Sequence, residues 1–187
     1  MPKLPLPEVN GIEFKNIKEL KGIQLKALDR LHASFHEETD KQKHSFDKVA
    51  HTVNVATCSL HPAGYVSSLG GEFVYEIYVA ERYRKQGIGE ALLIRSIAPF
   101  FECNYFSMHD HTITLMHTYT PMLNLLRKMQ KDGKWSDYFE IQIQETPKFM
   151  SEEDYHPDGY IIPKRPPILG GRLEQLLSSL PQDKRSV

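Results

Sequence analysis

The sequence has few of the features that mark secreted, membrane or polyanion-binding proteins. It contains only two cysteines, Cys58 and Cys103, which is too few for a disulfide framework, so we expect two free thiols and a reducing, cytoplasmic setting. No run approaches the roughly 18 apolar residues of a membrane span, and no charged start followed by an apolar run marks a signal segment. The 23 basic residues are offset by 24 acidic ones, so any anion-binding site must be local rather than a general basic surface.

The length and composition indicate one globular domain with an arm and an extension. A chain of 187 residues with 40% hydrophobic content is large enough to bury a substantial core. Residues 1–11 carry three prolines and predict an extended N-terminal arm. Residues 12–146 form the predicted domain, and residues 147–187 form a C-terminal extension rich in proline, glycine and charge. A short leucine-striped helix is predicted in "RLEQLLSSL", and because that stripe must pack on the core or on another subunit, a homodimer through the extension is one hypothesis.

Periodicity predicts an alternation of strands and helices through the domain. "IEFKNI" predicts an edge strand and "KELKGIQLKALDRLHASFHEE" a helix. Two strands in "TVNVATCSL" and "GYVSSLGG" follow, with a predicted turn at His61–Gly64, and "EFVYEIYV" is the third strand of this run. A helix begins near Gly89 and should bend or end near Pro99. After it we expect a strand in "YFSMHDH", a helix in "TLMHTYTPMLNLLRKMQKDG" restarted at Pro121, and a strand in "YFEIQIQE".

The stretch "VYEIYVAERYRKQGIGEALL" joins a strand to a helix through a basic loop with two glycines. The first backbone N–H groups of such a helix are unpaired, and the helix dipole favours an anion there. Gly87 and Gly89 allow close backbone approach, while Arg84 and Lys85 add positive charge. The spacing matches neither a P-loop nor a dinucleotide-binding fingerprint, since the Gly-Lys pair of "GKW" lacks a following Ser or Thr and Leu92 stands where the fingerprint requires Gly or Ala.

The same stretch resembles the acetyl-CoA-binding motif of the GCN5-related N-acetyltransferases (GNAT). In "VAERYRKQGIGEALL", Val79 matches the strand end of the family's motif, and Arg84, Gly87 and Gly89 match its three signature positions. With the predicted order of elements, the resemblance covers roughly three-quarters of the chain. An ordinary solvated turn is the alternative interpretation of the two glycines.

The resemblance implies an α/β fold of the α+β type, with a central mixed, mostly antiparallel twisted sheet flanked by helices. It also implies acetyl-CoA as co-substrate, with its pyrophosphate on the backbone N–H groups of the loop and its pantetheine arm along the strand Tyr75 to Val79. The cofactor-binding residues implied in this way are Ile77, Tyr78, Val79, Arg84, Lys85, Gln86, Gly87, Ile88 and Gly89.

In this family an amine attacks the thioester directly, so a general base must remove a proton from the ammonium form of the acceptor. Glu76, inside the strand at the central cleft, is the predicted base, and Glu72 at the start of that strand is the runner-up. The alternative for Glu76 is an ordinary strand residue that faces solvent or pairs with a neighbouring strand.

The predicted general acid departs from the family pattern. Members of the family commonly carry a tyrosine in a late helix, in a stretch resembling Tyr-Glu-Lys-x-Gly-Phe, and "MQKDGK" places Met129 at the tyrosine position. A thioether cannot donate a proton. Tyr119 is the predicted substitute, with half-buried packing as its alternative role.

Two groups of histidines invite a metal hypothesis. His32 and His36 lie one helical turn apart, and "MHDHTITLMH" contains His109 and His111. Neither group includes a His-Glu-x-x-His motif or a nearby cysteine, so we predict no metal and interpret these histidines as lining a cleft or lying at the surface. The family's arrangement implies that His109 and His111 lie on the strand that faces the acyl group, so both are reserve candidates for proton transfer or amine recognition.

These observations leave two functional classes. The first is an acetyl-CoA-dependent N-acetyltransferase acting on an amine of a small molecule, a protein or a nucleobase. The second is a catalytically weak or inactive binding protein of the same fold, acting through a protein or nucleic-acid partner. Another acyl donor in place of acetyl-CoA is not excluded by the sequence.

Overall fold

The structure is a computed structural model, and it describes residues 4–39, 52–102, 112–115, 120–144 and 158–164. The strands are β1 (Glu13–Asn16), β2 (Thr52–Cys58), β3 (His61–Leu69), β4 (Phe73–Val79), β5 (Ile113–Leu115), β6 (Phe139–Ile143) and β7 (Gly159–Pro163). The helices are α1 (Ile23–Thr39), α2 (Ile88–Glu102) and α3 (Thr120–Asp132). Across these ranges, every helix is too short or too polar to cross a membrane.

The strands form one open, mixed sheet in the order β1-β2-β3-β4-β5-β7-β6. Neighbouring strands are antiparallel except β4 and β5, which run parallel. A parallel pair needs a crossover connection, and α2 lies in the chain between β4 and β5. The predicted fold class, a mixed and mostly antiparallel sheet flanked by helices, is therefore confirmed.

The two faces of the sheet carry separate cores. On one face, α2 and α3 pack with inward residues of the sheet into the larger apolar cluster, which includes Leu93, Ile97 and Leu126. On the other face, α1 packs against β2, β3 and β4 through a smaller cluster that includes Leu28, Phe35, Tyr65 and Tyr78. The N-terminal arm joins the larger cluster, because Leu4 is buried in it.

A β-bulge in β4 decides which of its side chains meet α1. Glu76 pairs with Ser67 of β3 and Val74 pairs with Ser68, so Tyr75 is the extra residue. Val74 and Ile77 both belong to the core under α2 and α3 although they are three positions apart. Glu76 and Tyr78 consequently face α1.

Two element boundaries differ from the sequence-based expectations. The predicted turn at His61–Gly64 is wrong, because this segment begins β3, and the chain turns at Ser59, whose φ is 56°. Pro62 is tolerated because it lies second in the strand, beside a register shift. The predicted helix over "TLMHTYTPMLNLLRKMQKDG" is wrong at its start, since Thr114 and Leu115 belong to β5 and α3 begins at Thr120.

The sequence patterns also gave no expectation of β7, which falls in the segment assigned to the C-terminal extension. Gly159–Pro163 lies between β5 and β6 and pairs with both. The rest of the extension, including "RLEQLLSSL", lies outside the described residues, as does the strand predicted in "YFSMHDH". The division at residue 147 and the homodimer therefore stay predictions.

Candidate active site

A cleft of about 440 Å³ lies between the end of β4, the loop that follows it, and α3. Among the described residues, pairing between β4 and β5 involves only Phe73 and Val74 of β4. The described part of β5 ends at Leu115, and the cleft lies beside the second half of β4, where Ile77, Tyr78 and Val79 line it. Where a strand edge is not paired with another strand, it offers backbone N–H and C=O groups to an extended ligand.

The loop after β4 turns the chain so that the start of α2 faces this cleft. A short 3₁₀ turn at Glu81–Tyr83 is followed by Lys85 with φ 64° and Gly87 with φ 83°. Both values lie in the left-handed region, which glycine tolerates and lysine adopts only at a cost. The N–H of Ala91 donates to the carbonyl of Gly87 at 3.0 Å, so Gly87 sits at the N-cap and the N–H groups of the first turn point out of the helix. This is the geometry of an anion-binding helix start.

Gly89 lies on the first turn of α2 and lines the same cleft. A Cβ placed there would lie 3.5 Å from Cδ2 of Leu125 and 3.7 Å from Cγ2 of Val79, which are ordinary contact distances. The fold itself therefore does not require glycine at this position, and a larger side chain would instead extend into the cleft.

The Arg84 side chain bridges the loop to α1. Its Nε donates to the carbonyl of Val79 at 2.9 Å, and one terminal N–H donates to Oε2 of Glu38 at 2.6 Å. The Tyr78 hydroxyl donates to the other carboxylate oxygen of Glu38, and the Arg84 guanidinium lies 5.5 Å from the centre of the Tyr78 ring. The side chains of Arg84, Glu38 and Tyr78 thus connect the loop after β4, the wall of the cleft and the last turn of α1.

This network shifts the pKa of Glu38 and the pKa of Tyr78. Partial burial opposes ionisation of Glu38, but the hydrogen bonds from Tyr78 and Arg84 outweigh it and lower the pKa of Glu38. Burial, with the hydrogen bond to the Glu38 carboxylate, raises the pKa of Tyr78 to about 12. At neutral pH Glu38 is therefore anionic and Tyr78 is a neutral hydrogen-bond donor.

The opposite wall of the cleft comes from α3. Met122, Asn124, Leu125 and Lys128 line it, so a mainly apolar surface is edged by one amide and one cation. Met129, at the position where the family pattern places a tyrosine, is 2% exposed and packs in the larger core.

The predicted base, Glu76, lies in a buried cluster with two histidines of α1. Its Oε2 is 3.3 Å from Nε2 of His32, its Oε1 is 3.9 Å from Nε2 of His36, and the two Nε2 atoms are 2.9 Å apart. The Tyr65 hydroxyl donates to Oε2 of Glu76 at 3.2 Å. We call Glu76, His32 and His36 the carboxylate–histidine cluster.

The cluster is nearly closed to solvent, and Glu76 is its most exposed member. The side chains of both histidines are 5% exposed and that of Glu76 is 16% exposed. Burial opposes ionisation of Glu76, but the hydrogen bond and charge of His32, the charge of His36 and the hydrogen bond from Tyr65 together lower its pKa. Glu76 is therefore a carboxylate at neutral pH and a proton acceptor.

The structure places most of the predicted residues around this cleft, while three lie outside the described ranges. Every predicted cofactor residue lines the cleft except Gln86, whose side chain donates to the carbonyl of Arg82 at 3.3 Å. Glu72, the alternative base, is exposed and precedes β4, at the end of the strand away from the loop. Tyr119 and His109 lie outside the described residues and stay predictions, as does His111.

Several residues of the site were not predicted from the sequence. Lys128 and Asn124 follow Pro121 on a helix that the sequence did predict, and their spacing of four residues is a signal that they share a face. Glu38 had no such signal, because its partners Tyr78 and Arg84 are distant in the chain. The meeting of Glu76 with His32 and His36 also depends on tertiary packing.

Known proteins resemble this chain in structure only. No family model and no curated protein matches its sequence. An acetyltransferase from Streptococcus agalactiae superposes with a TM-score of 0.53 at 12% identity, over 82% of this chain and 99% of that one. An aminoglycoside acetyltransferase from a soil metagenomic sample, in complex with sisomicin, has a TM-score of 0.48 at 14% identity, over 76% and 96%. An Arabidopsis thaliana protein in complex with the bisubstrate analogue CoA-Ac-MVNAL has a TM-score of 0.46 at 18% identity, over 83% and 99%. At 12% identity, the likeness to the Streptococcus agalactiae protein shows the fold and leaves the activity to be argued from the site.

Proposed function

We propose that this chain, whose fold is that of the GCN5-related N-acetyltransferases, transfers an acetyl group from acetyl-CoA to an amine. The observation that carries the proposal is the cleft beside β4. The second half of β4, a left-handed loop and the start of α2 meet in one cavity there. Together they match an extended ligand with a phosphate group in its middle.

The cofactor would lie along the cleft with its charged part at the loop. The pyrophosphate would accept hydrogen bonds from the N–H groups between Lys85 and Gly89, where the dipole of α2 also favours negative charge. The pantetheine arm would pair with the part of β4 that lines the cleft and pack against Leu125. Lys128, exposed at the edge of the cleft, would attract the phosphates. Arg84 would act mainly by holding the loop in place, since its guanidinium is already engaged by Glu38.

The chemistry needs one proton acceptor near the acyl group. The ammonium form of the acceptor gives a proton to the Glu76 carboxylate, directly or through water. The free amine then attacks the thioester carbonyl carbon, a C–N bond forms, and the C–S bond breaks. Glu76 and the cleft residue Tyr78 face the same side of β4, which supports Glu76 as the acceptor of this proton.

The leaving thiolate takes its proton from water in this proposal. Met129 cannot donate one, and it packs in the core rather than in the cleft. A CoA thiolate is a stable leaving group near neutral pH, because the ordinary thiol pKa of about 8.5 lies close to that range. Tyr119 stays a predicted alternative donor.

The experiment is incubation of the full chain with acetyl-CoA and a panel of amines, followed by mass spectrometry of each amine. The panel contains aminoglycosides, peptides with free N-termini or lysines, polyamines and nucleosides with exocyclic amines. An acetylated product that requires the protein supports the proposal and identifies the acceptor. Binding of acetyl-CoA with no acetylated product from any class would favour the non-catalytic binding protein, the alternative that the buried Met129 supports.

A further inference from the structure

We infer that the carboxylate–histidine cluster is a binding site for a zinc-class divalent metal ion, with Nε2 of His32, Nε2 of His36 and the Glu76 carboxylate as ligands. These three donors are the group among the described residues whose ligand atoms all lie within 4.8 Å of one another. The site contrasts with the expectation from the sequence that the chain binds no metal. It is independent of acetyl-CoA.

The distances suit a small tetrahedral ion. Metal–nitrogen and metal–oxygen bonds of about 2.0–2.2 Å at tetrahedral angles put the donor atoms about 3.3–3.5 Å apart. The observed separations are 2.9, 3.3 and 3.9 Å. The required separation lies within this observed range. Side-chain rotations that move each donor atom by a few tenths of an ångström would therefore bring all three atoms to bonding distance of one ion.

The protonation chemistry also favours a cation at the centre of the cluster. An imidazole nitrogen presents either one hydrogen or one lone pair, yet Nε2 of His32 contacts both Nε2 of His36 and Oε2 of Glu76. Without a metal, and with Glu76 ionised, a single N–H on Nε2 of His32 would have to donate to both Nε2 of His36 and Oε2 of Glu76. A divalent ion accepts one lone pair from each of the three donors and satisfies them together.

The surroundings resemble the support that metal ligands receive in proteins. The Tyr65 hydroxyl donates to Oε2 of Glu76 at 3.2 Å, and such outer hydrogen bonds orient a ligating carboxylate. The rings of Phe35 and Tyr65 pack against the histidines, which keeps the imidazoles in one orientation and limits water. His36 lies in the last turn of α1, where the helix dipole favours positive charge.

The donor set indicates which ions would bind. Two imidazoles and one carboxylate are typical of zinc and of neighbouring first-row metals, whereas magnesium and calcium prefer oxygen ligands throughout. Three protein ligands also leave a fourth position for water. Zinc is therefore the probe of choice, and magnesium is the matched negative control.

A bound metal would occupy the lone pairs that the proposed transferase uses to accept a proton. The metal-bound cluster and the proton-accepting cluster are therefore alternatives. Metal binding is measured without acetyl-CoA or an amine, and acetyl transfer is assayed with a chelator present. Failure of one proposal then leaves the other standing.

The experiment is a zinc titration of the full chain, first stripped with EDTA and dialysed, in competition with a chromophoric zinc indicator. The wild type is expected to bind one zinc per chain at a site that magnesium does not fill. Affinity at this site should fall at least about 100-fold in His36→Gln and in Glu76→Gln, and about 10–100-fold in Tyr65→Phe, as is usual for an outer-shell partner. His61→Gln is the control, because His61 is an exposed histidine of β3, and its affinity should match the wild type.

Circular dichroism tests whether each variant is folded. If a histidine variant is unfolded, the result for the near-isosteric Glu76→Gln decides the test. Cobalt(II) gives a second readout, since tetrahedral coordination produces strong visible absorption that Glu76→Gln should remove. Absence of a zinc site in the wild type would overturn the inference. So would zinc affinity that is the same in wild type, His36→Gln and Glu76→Gln, because the ion would then bind elsewhere.

Discussion

The two faces of the sheet bury different kinds of side chain. Under α2 and α3 the packing is mainly apolar, from Leu4 to Ile161, and the buried polar residue of α2 is the small Ser96. Under α1, aromatic and aliphatic residues surround two histidines and a carboxylate. A buried polar cluster stabilises a fold less than an apolar one of the same size, and such clusters occur most often at functional sites. The contrast therefore leads us to expect that packing under α2 and α3 contributes most to stability, and that the proposed proton acceptor, Glu76, acts from the α1 face.

The largest effect on activity is expected at the α1 face. Glu76→Gln keeps the shape of the side chain and removes the proton acceptor, so the rate of acetyl transfer should fall about 10²–10⁴-fold. Acetyl-CoA affinity, measured by calorimetry, should stay near the wild-type value because the cofactor loop is untouched. Glu72→Gln is the matched control and should retain the wild-type rate, since Glu72 is exposed at the far end of β4. Equal losses in both variants would contradict the role of Glu76.

The largest effect on stability is expected at the other face. Leu93 of α2 is 0% exposed, and Leu93→Ala should lower the free energy of unfolding by about 2–5 kcal/mol. Urea denaturation measures this change, and the transfer rate per folded molecule should remain close to wild type. A rate loss as large as that of Glu76→Gln in fully folded Leu93→Ala would remove the distinction between the faces.

An intermediate effect is expected where the first turn of α2 meets the cleft. Gly89→Leu should weaken acetyl-CoA binding about tenfold or more, that is by about 1.4 kcal/mol, because the added atoms extend into the cavity. Gly89→Ala is the control, since its Cβ makes ordinary contacts and alanine raises helix stability by about 1 kcal/mol. Calorimetric titration should therefore separate the two variants. Wild-type affinity in Gly89→Leu would place the cofactor elsewhere.

The smallest effect is expected at the bridge between the faces, where Glu38 joins Arg84 and Tyr78. The ion pair is partly exposed, so Glu38→Gln should lower the free energy of unfolding by under about 1 kcal/mol at neutral pH. The pKa of Glu38 is lowered in the folded state, so its contribution is fully present above the ordinary value of 4.5 and is lost as pH falls through the folded-state pKa. Denaturation of both proteins across that range should show the difference shrinking on the acid side. A difference that grows toward low pH would contradict the assignment.

The fold followed from the sequence wherever the hydrophobic period was long and regular. The three helices and strands β2, β4 and β6 were predicted from periodicity, as was the edge position of β1. Turn chemistry misled at His61–Gly64, because a proline near a strand start is compatible with a register shift. Strand β7 was missed because its glycine and proline resemble those of a linker, and its place in the sheet depends on partners distant in the chain.

The part of the candidate site that is formed by residues close in sequence was predictable. Arg84, Gly87 and Gly89 are close in sequence, so a local motif defines the loop that they form. The carboxylate–histidine cluster is not local, since helical spacing put His32 and His36 on one face but could not say which strand that face meets. The bulge at Tyr75, which turns Glu76 toward α1, leaves no mark in the sequence pattern.

The most direct test of the account is the initial rate of CoA thiol release from acetyl-CoA by the EDTA-treated wild type, with and without each amine of the panel. We predict release that depends on both the protein and one class of amine. Acetyl-CoA that binds in the cleft while no amine, peptide or nucleoside raises thiol release above the protein-free rate would contradict the proposed transferase.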